Sequence, residues 1–423
     1  MSSSGPLPSF APAGSVRPVA LARPEPLRAA LAPALAIEAA ADTTELALTS
    51  GDDRLVVTYD DGGFSLAVTT GGRTTSHRSR RSGRPDGPVD RVALTLTGSH
   101  LVGWGREGGG WAARGRVDLR MRVDTHDEAW LAGVAAEGGE PRAFGQLGLR
   151  DLRLVTTTDG SAYAPDGETD GAVLLTATSA GPGFFDTAHT SVWRLDPETL
   201  ALTHLSDLFF RRPDRTGVYG DHASHLVRDG DRWLLATSTW GDFDRAGPGA
   251  GVGVTLAETR ADLLTGRHVL DTRSLALPTT GLRSVGVWDP HLVRTEDGWL
   301  VAYVSARRFF DFGPVLASGP DLDRLELRAA GVGHLETEGP TLHRVEHDWR
   351  VLVSDSRRRC YPVLDLDLRE VGTIDAPYAT NIPWPTVVGH DGTLLLVGFD
   401  GEPMGGRLVG YGSHGAVQFA RSG

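Results

Sequence analysis

From residue 45 onward the apolar positions come in short runs broken by glycine-rich turns, with the two-residue alternation or unbroken apolar stretches of strands. Arg54-Leu-Val-Val-Thr-Tyr, Phe64-Ser-Leu-Ala-Val, Val92-Ala-Leu-Thr-Leu and Val117-Asp-Leu-Arg-Met-Arg-Val are examples, with turns such as Asp61-Gly62-Gly63 between them. Only near the start does a helical spacing occur, where Leu27, Leu31 and Leu35 predict a short helix over 26–41. Residues 1–40 accordingly read as a flexible tail, and 41–144 as a small antiparallel β unit resembling a sandwich.

Beyond residue 145 the pattern repeats. Gly171-Ala-Val-Leu-Leu-Thr, Arg232-Trp-Leu-Leu-Ala-Thr-Ser, Gly298-Trp-Leu-Val-Ala-Tyr, Asp348-Trp-Arg-Val-Leu-Val-Ser and Gly392-Thr-Leu-Leu-Leu-Val are five copies of one strand. In four of them a preceding strand is also recognisable: Ser224-His-Leu-Val-Arg, Asp289-Pro-His-Leu-Val-Arg, Glu338-Gly-Pro-Thr-Leu-His-Arg and Trp384-Pro-Thr-Val-Val. Repeats of this length with one hairpin each fit four-stranded propeller blades. The fold class expected is all-β, a five-bladed β-propeller over 145–423 with a smaller N-terminal β-sandwich-like unit. The first copy lacks a comparable strand over 161–170, and the segment 148–158 is expected to close the last blade.

Composition narrows the chemistry. All 42 basic residues are arginine, so a Walker-type phosphate loop, a Schiff base and pyridoxal chemistry are excluded. The net charge of −12 argues against nucleic acid or an anionic membrane as partner, and favours a neutral carbohydrate. Cys360 is the single cysteine, which excludes an intramolecular disulfide. With no clean signal peptide and no long apolar run, the cytoplasm is the default expectation. No cofactor and no metal site are expected; His222, His225 and His291 lack zinc-ligand spacing.

In a propeller the innermost strands start at one mouth of the channel, so equivalent residues converge there. Three successive repeats carry a carboxylate at or near that start: Asp221, Asp289 and Glu338. Gathering carboxylates is costly in desolvation and repulsion, whereas glycoside hydrolysis needs such a pair. Turn formation by aspartate is the plain alternative for any one of them.

At Asp221-His-Ala-Ser, Trp288-Asp-Pro-His and Glu338-Gly-Pro the sequence resembles the five-bladed glycosidases of glycoside hydrolase family 43 and relatives, over roughly 155–420. The resemblance implies that Asp221 is the base, Asp289 the residue that tunes the acid, and Glu338 the general acid. It also implies hydrolysis of a pentose glycoside, an arabinofuranoside or xyloside; with Asp221 and Glu338 two blades apart across the channel, room for a water between them and hence inversion are expected. Two departures stand out. Asp221 lies seven residues before Arg228, whereas Asp289 lies five before Arg294, and Trp384 occupies a place where relatives carry an axial histidine. His222, Trp240, Trp288 and Trp384 are candidates for sugar contacts, with core packing as the plain alternative for the tryptophans. Arg307 and Arg357, each beside further arginines, are candidates for reaching an axial carboxylate or a sugar hydroxyl. The alternative function is a catalytically inactive carbohydrate-binding propeller, which requires that Asp221 turn away from the channel and that neither Asp166 nor another acid replace it.

Overall fold

The computed structural model describes residues 7–26, 31–165, 171–244, 251–308, 310–331, 333–402, 408–410 and 415–423. Among them nearly all regular structure is β, with one short α-helix at Glu128–Ala132. No helix among the described residues is long and apolar enough to cross a membrane.

Residues 20–146 build two sheets. Strands Ala20–Pro26, Ala34–Ala40, Val89–Thr97, His100–Glu107, Gly110–Asp118 and Pro141–Gln146 form one, and Glu45–Ser50, Asp53–Asp60, Gly63–Thr70, Arg73–His77 and Ala135–Glu137 the other. Leu35, Ile37, Leu94 and Leu96 face Leu46, Leu55, Val57 and Leu66 across the sandwich. The alternate residues Ala34, Ala36 and Ala93 turn to the other face and pack with Phe209 and Val218 of the larger unit.

The expected helix over 26–41 is therefore a strand where it is described. Ala34-Leu-Ala-Ile buries both of its faces, and Ala34–Ala40 pairs with Val89–Thr97 on one side and Pro141–Gln146 on the other. That pairing outweighs the helical spacing of the leucines; Leu27 itself falls outside the described residues. The expected tail over 1–40 is likewise corrected, because Phe10–Val16, Ala20–Pro26 and Ala34–Ala40 are all sheet strands.

Beyond residue 147 five sheets follow, called first to fifth below. Their inner strands are Leu149–Leu154, His222–Asp229, Gly286–Thr295, Thr337–Val345 and Thr386–His390. Their second strands are Val173–Ser179, Arg232–Ser238, Gly298–Arg308, Asp348–Asp355 and Thr393–Asp400, the five repeats of the sequence. These read as unbroken apolar runs because both faces are covered. Leu174 packs with Leu226 and Trp233 of the second sheet, and Leu234 with Leu292 and Val301 of the third. Val293 and Leu300 meet Leu342 and Val351 of the fourth, and Leu352 and Val363 meet Val387 and Leu396 of the fifth. Leu395, Val397 and Phe399 of the fifth cluster with Leu149, Leu152 and Leu175 of the first.

Two strand assignments differ from expectation. Leu149–Leu154 does not close the last sheet; it pairs with Val173–Ser179 as the inner strand of the first. The last sheet is completed by the chain's own beginning, where Phe10–Val16 runs antiparallel to Ala416–Ser422, with Phe10 opposite Ser422 and Val16 opposite Val417. A closing strand that far away in sequence leaves no local signal.

Candidate active site

Four inner strands break their pairing register at one equivalent place, between Arg150 and Arg153, His222 and His225, Trp288 and His291, and Glu338 and Thr341. The residue after the first of each pair has a left-handed backbone: Asp151 (φ 51°), Ala223 (φ 59°), Asp289 (φ 57°) and Gly339 (φ 65°). Such bulges re-aim side chains, and left-handed non-glycine residues persist only where the surroundings impose them. Gly339 has a second reason to lack a side chain, since a Cβ there would lie 2.4 Å from Cγ of Trp384.

Aligned on this bulge, Asp151 of the first sheet is the counterpart of Asp289 in the third. Glu338, one residue ahead in the fourth, completes a trio whose charges act on one another. Burial first, then the charges of Glu338 and Asp151, push the Asp289 carboxyl well above its usual range; Arg153 opposes this. Glu338 keeps a solvent-facing edge, yet burial and then Asp151 push it up to about 7. Trp288 donates Nε1–H to Glu338 Oε1 at 3.2 Å, and the Gly339 amide reaches Asp289 Oδ2 at 3.4 Å. Beneath them lies Arg153, without solvent exposure, donating to Pro340 O (3.0 Å) and Thr341 Oγ1 (3.1 Å) and held 4.5 Å from the Trp384 ring.

Asp221 does not join this trio. It is wholly buried in an ion pair with Arg212, accepting Nε at 2.8 Å on one oxygen and Nη2 on the other, while the Gly241 amide donates at 3.0 Å. Its oxygens are committed to holding the segment that carries Trp240, so the base expected at Asp221 is corrected to a structural aspartate. The two-residue displacement from the repeat is the physical reason: the register-equivalent position in the second sheet is Ala223. Asp166 lies outside the described residues. Replacing Asp221 by Asn is expected to cost roughly 2 kcal/mol by leaving the buried Arg212 with Asp242 (2.7 Å) as its one ion-pair partner among the described residues, read as a lower thermal midpoint with turnover per folded molecule largely retained.

The expected sugar contacts divide. Trp240, Trp288 and Trp384 belong to one core cluster and are between 2% and 6% exposed, so none offers a free face. Of these, Trp288 reaches the carboxylates through its ring nitrogen. His222 is also buried; its Nδ1 bonds Gly220 O at 3.0 Å, and burial lowers its pKa, with the Asp151 charge among the opposing influences. Arg307 pairs with Asp311 (2.9 Å) and Arg357 with Glu336 (2.9 Å), both largely exposed, so neither guanidinium pairs with an axial carboxylate. Packed against the core cluster that holds the tryptophans, Phe184 and Phe185 are half-buried, with Phe185 4.6 Å from Trp240 and 6.2 Å from His222. Neither was singled out from the sequence, where Gly183-Phe-Phe lies outside every repeat. Asp151 was missed as well, although Arg150-Asp-Leu-Arg does match Trp288-Asp-Pro-His at its aspartate.

No protein-family model and no curated protein matches the chain. Among solved structures it is similar to a thermostable family-43 glycoside hydrolase at 16% identity, over 64% of this chain and 89% of that one, with a TM-score of 0.43. A GH43_1 enzyme from Xanthomonas citri complexed with xylotriose gives 15%, 63%, 87% and 0.42 for the same quantities. The α-L-arabinanase of Penicillium chrysogenum complexed with arabinobiose gives 12%, 97%, 98% and 0.38. The chain resembles family-43 glycoside hydrolases.

Proposed function

We propose that this chain is a five-bladed β-propeller glycoside hydrolase acting on a pentose glycoside, with the N-terminal sandwich as a separate β unit beside the propeller. The cyclic order of the five hydrophobic interfaces, the last returning to the first, supports the propeller. The pentose, arabinofuranose or xylose, follows from the sequence resemblance at Asp289-Pro and Glu338-Gly-Pro.

The observation that carries the catalytic reading is the coupling of Asp151, Asp289 and Glu338 through equivalent bulges of three sheets. Glycosidases separate two carboxyl groups in role by separating them in pKa. Glu338, raised to about 7, is the acid that protonates the departing oxygen. Asp151 is the base that takes a proton from water. Asp289, the more deeply buried neighbour, resists a further negative charge beside Glu338, because repulsion between them is mutual. The inactive binding reading required that no acid replace Asp221, and Asp151 is that replacement.

Hydrolysis of aryl α-L-arabinofuranosides and β-D-xylosides, beside hexoside controls, tests the activity directly. No turnover of any pentoside would overturn it. With Asp151 and Glu338 on sheets that are not neighbours, the pair is expected to stand roughly 6.5–9.5 Å apart and leave room for a water, so the anomeric configuration should invert. Proton NMR of the first-formed sugar, taken before mutarotation, reads this; a retained anomer would mean that a carboxylate attacks carbon.

A further inference from the structure

Beside the third sheet, on the mouth side of the carboxylates, lies a cavity of about 120 Å³ lined by Leu282, Arg283, Arg307, Asp311, Phe312 and His334 among others. Its connection to the acid is short. The Phe312 ring meets Trp288 edge-on at 5.5 Å, and Trp288 donates to Glu338. A proton donor faces the leaving group, and only the Trp288 and Phe312 rings separate the cavity from that donor.

Its charge is opposite to that of the chain. Arg307 and Arg308 share the single carboxylate of Asp311, at 2.9 and 3.6 Å. Arg283, exposed at the rim, has no ion pair with any described residue. Burial lowers the His334 pKa, which makes that ring a neutral hydrogen-bonding group near pH 7. Two guanidinium groups, those of Arg283 and Arg307, thus line the cavity with one carboxylate, that of Asp311, in a protein of net charge −12. Two of the exposed large apolar side chains, Val285 (53%) and Phe310 (59%), lie on the segments that border the same cavity. Exposed apolar groups beside a concave site with an unneutralised arginine describe a surface that receives a ring and an anion together.

We propose that this cavity is a leaving-group subsite for a sugar that bears a carboxylate, so that the substrate is a uronate-decorated pentose chain. The inference rests on the hydrolase reading for the direction of the chain, and on the cavity alone for the charge. The planar guanidinium of Arg283 matches a carboxylate in a two-point contact, which a neutral hydroxyl does not supply. Opposite charge in a cleft also raises the local concentration of an anionic ligand in a salt-dependent way.

The test is calorimetric binding to the full chain carrying Glu338→Gln, and independently Asp151→Asn, which separates binding from turnover. The probes are a xylo-oligosaccharide with one glucuronate branch and the same oligosaccharide unbranched. The branched probe should bind roughly tenfold tighter at low salt, and Arg283→Ala should remove about fivefold of that preference. The preference should also shrink as salt rises. Equal affinity for the two probes, no binding of either, or a preference untouched by Arg283→Ala would overturn the proposal. A binding preference without hydrolysis of any pentoside by the wild type would leave this subsite standing and sink the catalytic reading. Hydrolysis with equal affinities would do the reverse.

Discussion

Asp151→Asn is expected to lower kcat by about 10²- to 10⁴-fold, the range that a positioned general base contributes. Asparagine keeps the size and hydrogen-bonding reach of the side chain but cannot take the proton from water. The loss should fall on activated and unactivated substrates alike, because water must be activated whichever group departs. The same change removes the charge that, after burial, does most to raise Glu338. Glu338 should then ionise more readily, and the alkaline limb of any residual activity should move to lower pH. Steady-state kinetics across pH on the purified variant measures both effects. Activity within threefold of wild type would dismiss Asp151 as the base and reopen the search for one. Asp221→Asn serves as the contrast: it should melt early and turn over well, since its carboxylate holds Arg212 and the Gly241 amide.

Glu338→Gln should show the complementary signature. With a poor leaving group such as an alcohol or a second sugar, the rate should fall on the order of 10²-fold or more, whereas a nitrophenyl leaving group needs little protonation and should lose far less. The pH profile adds a sign. Activity requires Glu338 protonated, and its pKa is pushed up to about 7, so wild-type kcat/KM should decline as pH rises through that value. In the variant that alkaline limb should vanish, since glutamine has no proton to lose. Equal losses on both leaving groups, or a limb that persists in the variant, would show that another group donates the proton.

The sequence was a good guide where the signal is local. The apolar runs at 173–179, 232–238, 298–308, 348–355 and 393–400 are the second strands of five sheets, each sandwiched between neighbours. Two of three acidic residues in the site, Asp289 and Glu338, were visible because Pro follows closely and the repeat marks where the inner strand begins. What the repeat did not mark was the first inner strand, which precedes its second strand by a long connection, and with it Asp151 went unseen. In the second sheet the nearest acid in sequence is Asp221, but a two-residue displacement along a bulged strand carries its side chain out of the equivalent position. Asp221 meets Arg212 there, where a carboxylate is wanted for a different purpose.

The beginning of the chain illustrates the other limit. Leucines at 27, 31 and 35 satisfy a helical period, but Ala34–Ala40 is a central strand because Leu35 and Ile37 fill a sandwich core while Ala34 and Ala36 allow the larger unit to approach the other face. Phe10–Val16 has four prolines within or near it and little strand character of its own, yet the open edge of Ala416–Ser422 captures it. The β class, the five repeats, the absence of lysine chemistry and two of the three carboxyl groups are legible along the chain, because periodicity and residue type are local properties. Which strand closes the last sheet, which aspartate stands on the bulge and which tryptophans are core depend on the tertiary structure, since an unpaired edge finds its partner hundreds of residues away and a displaced aspartate its arginine on another segment.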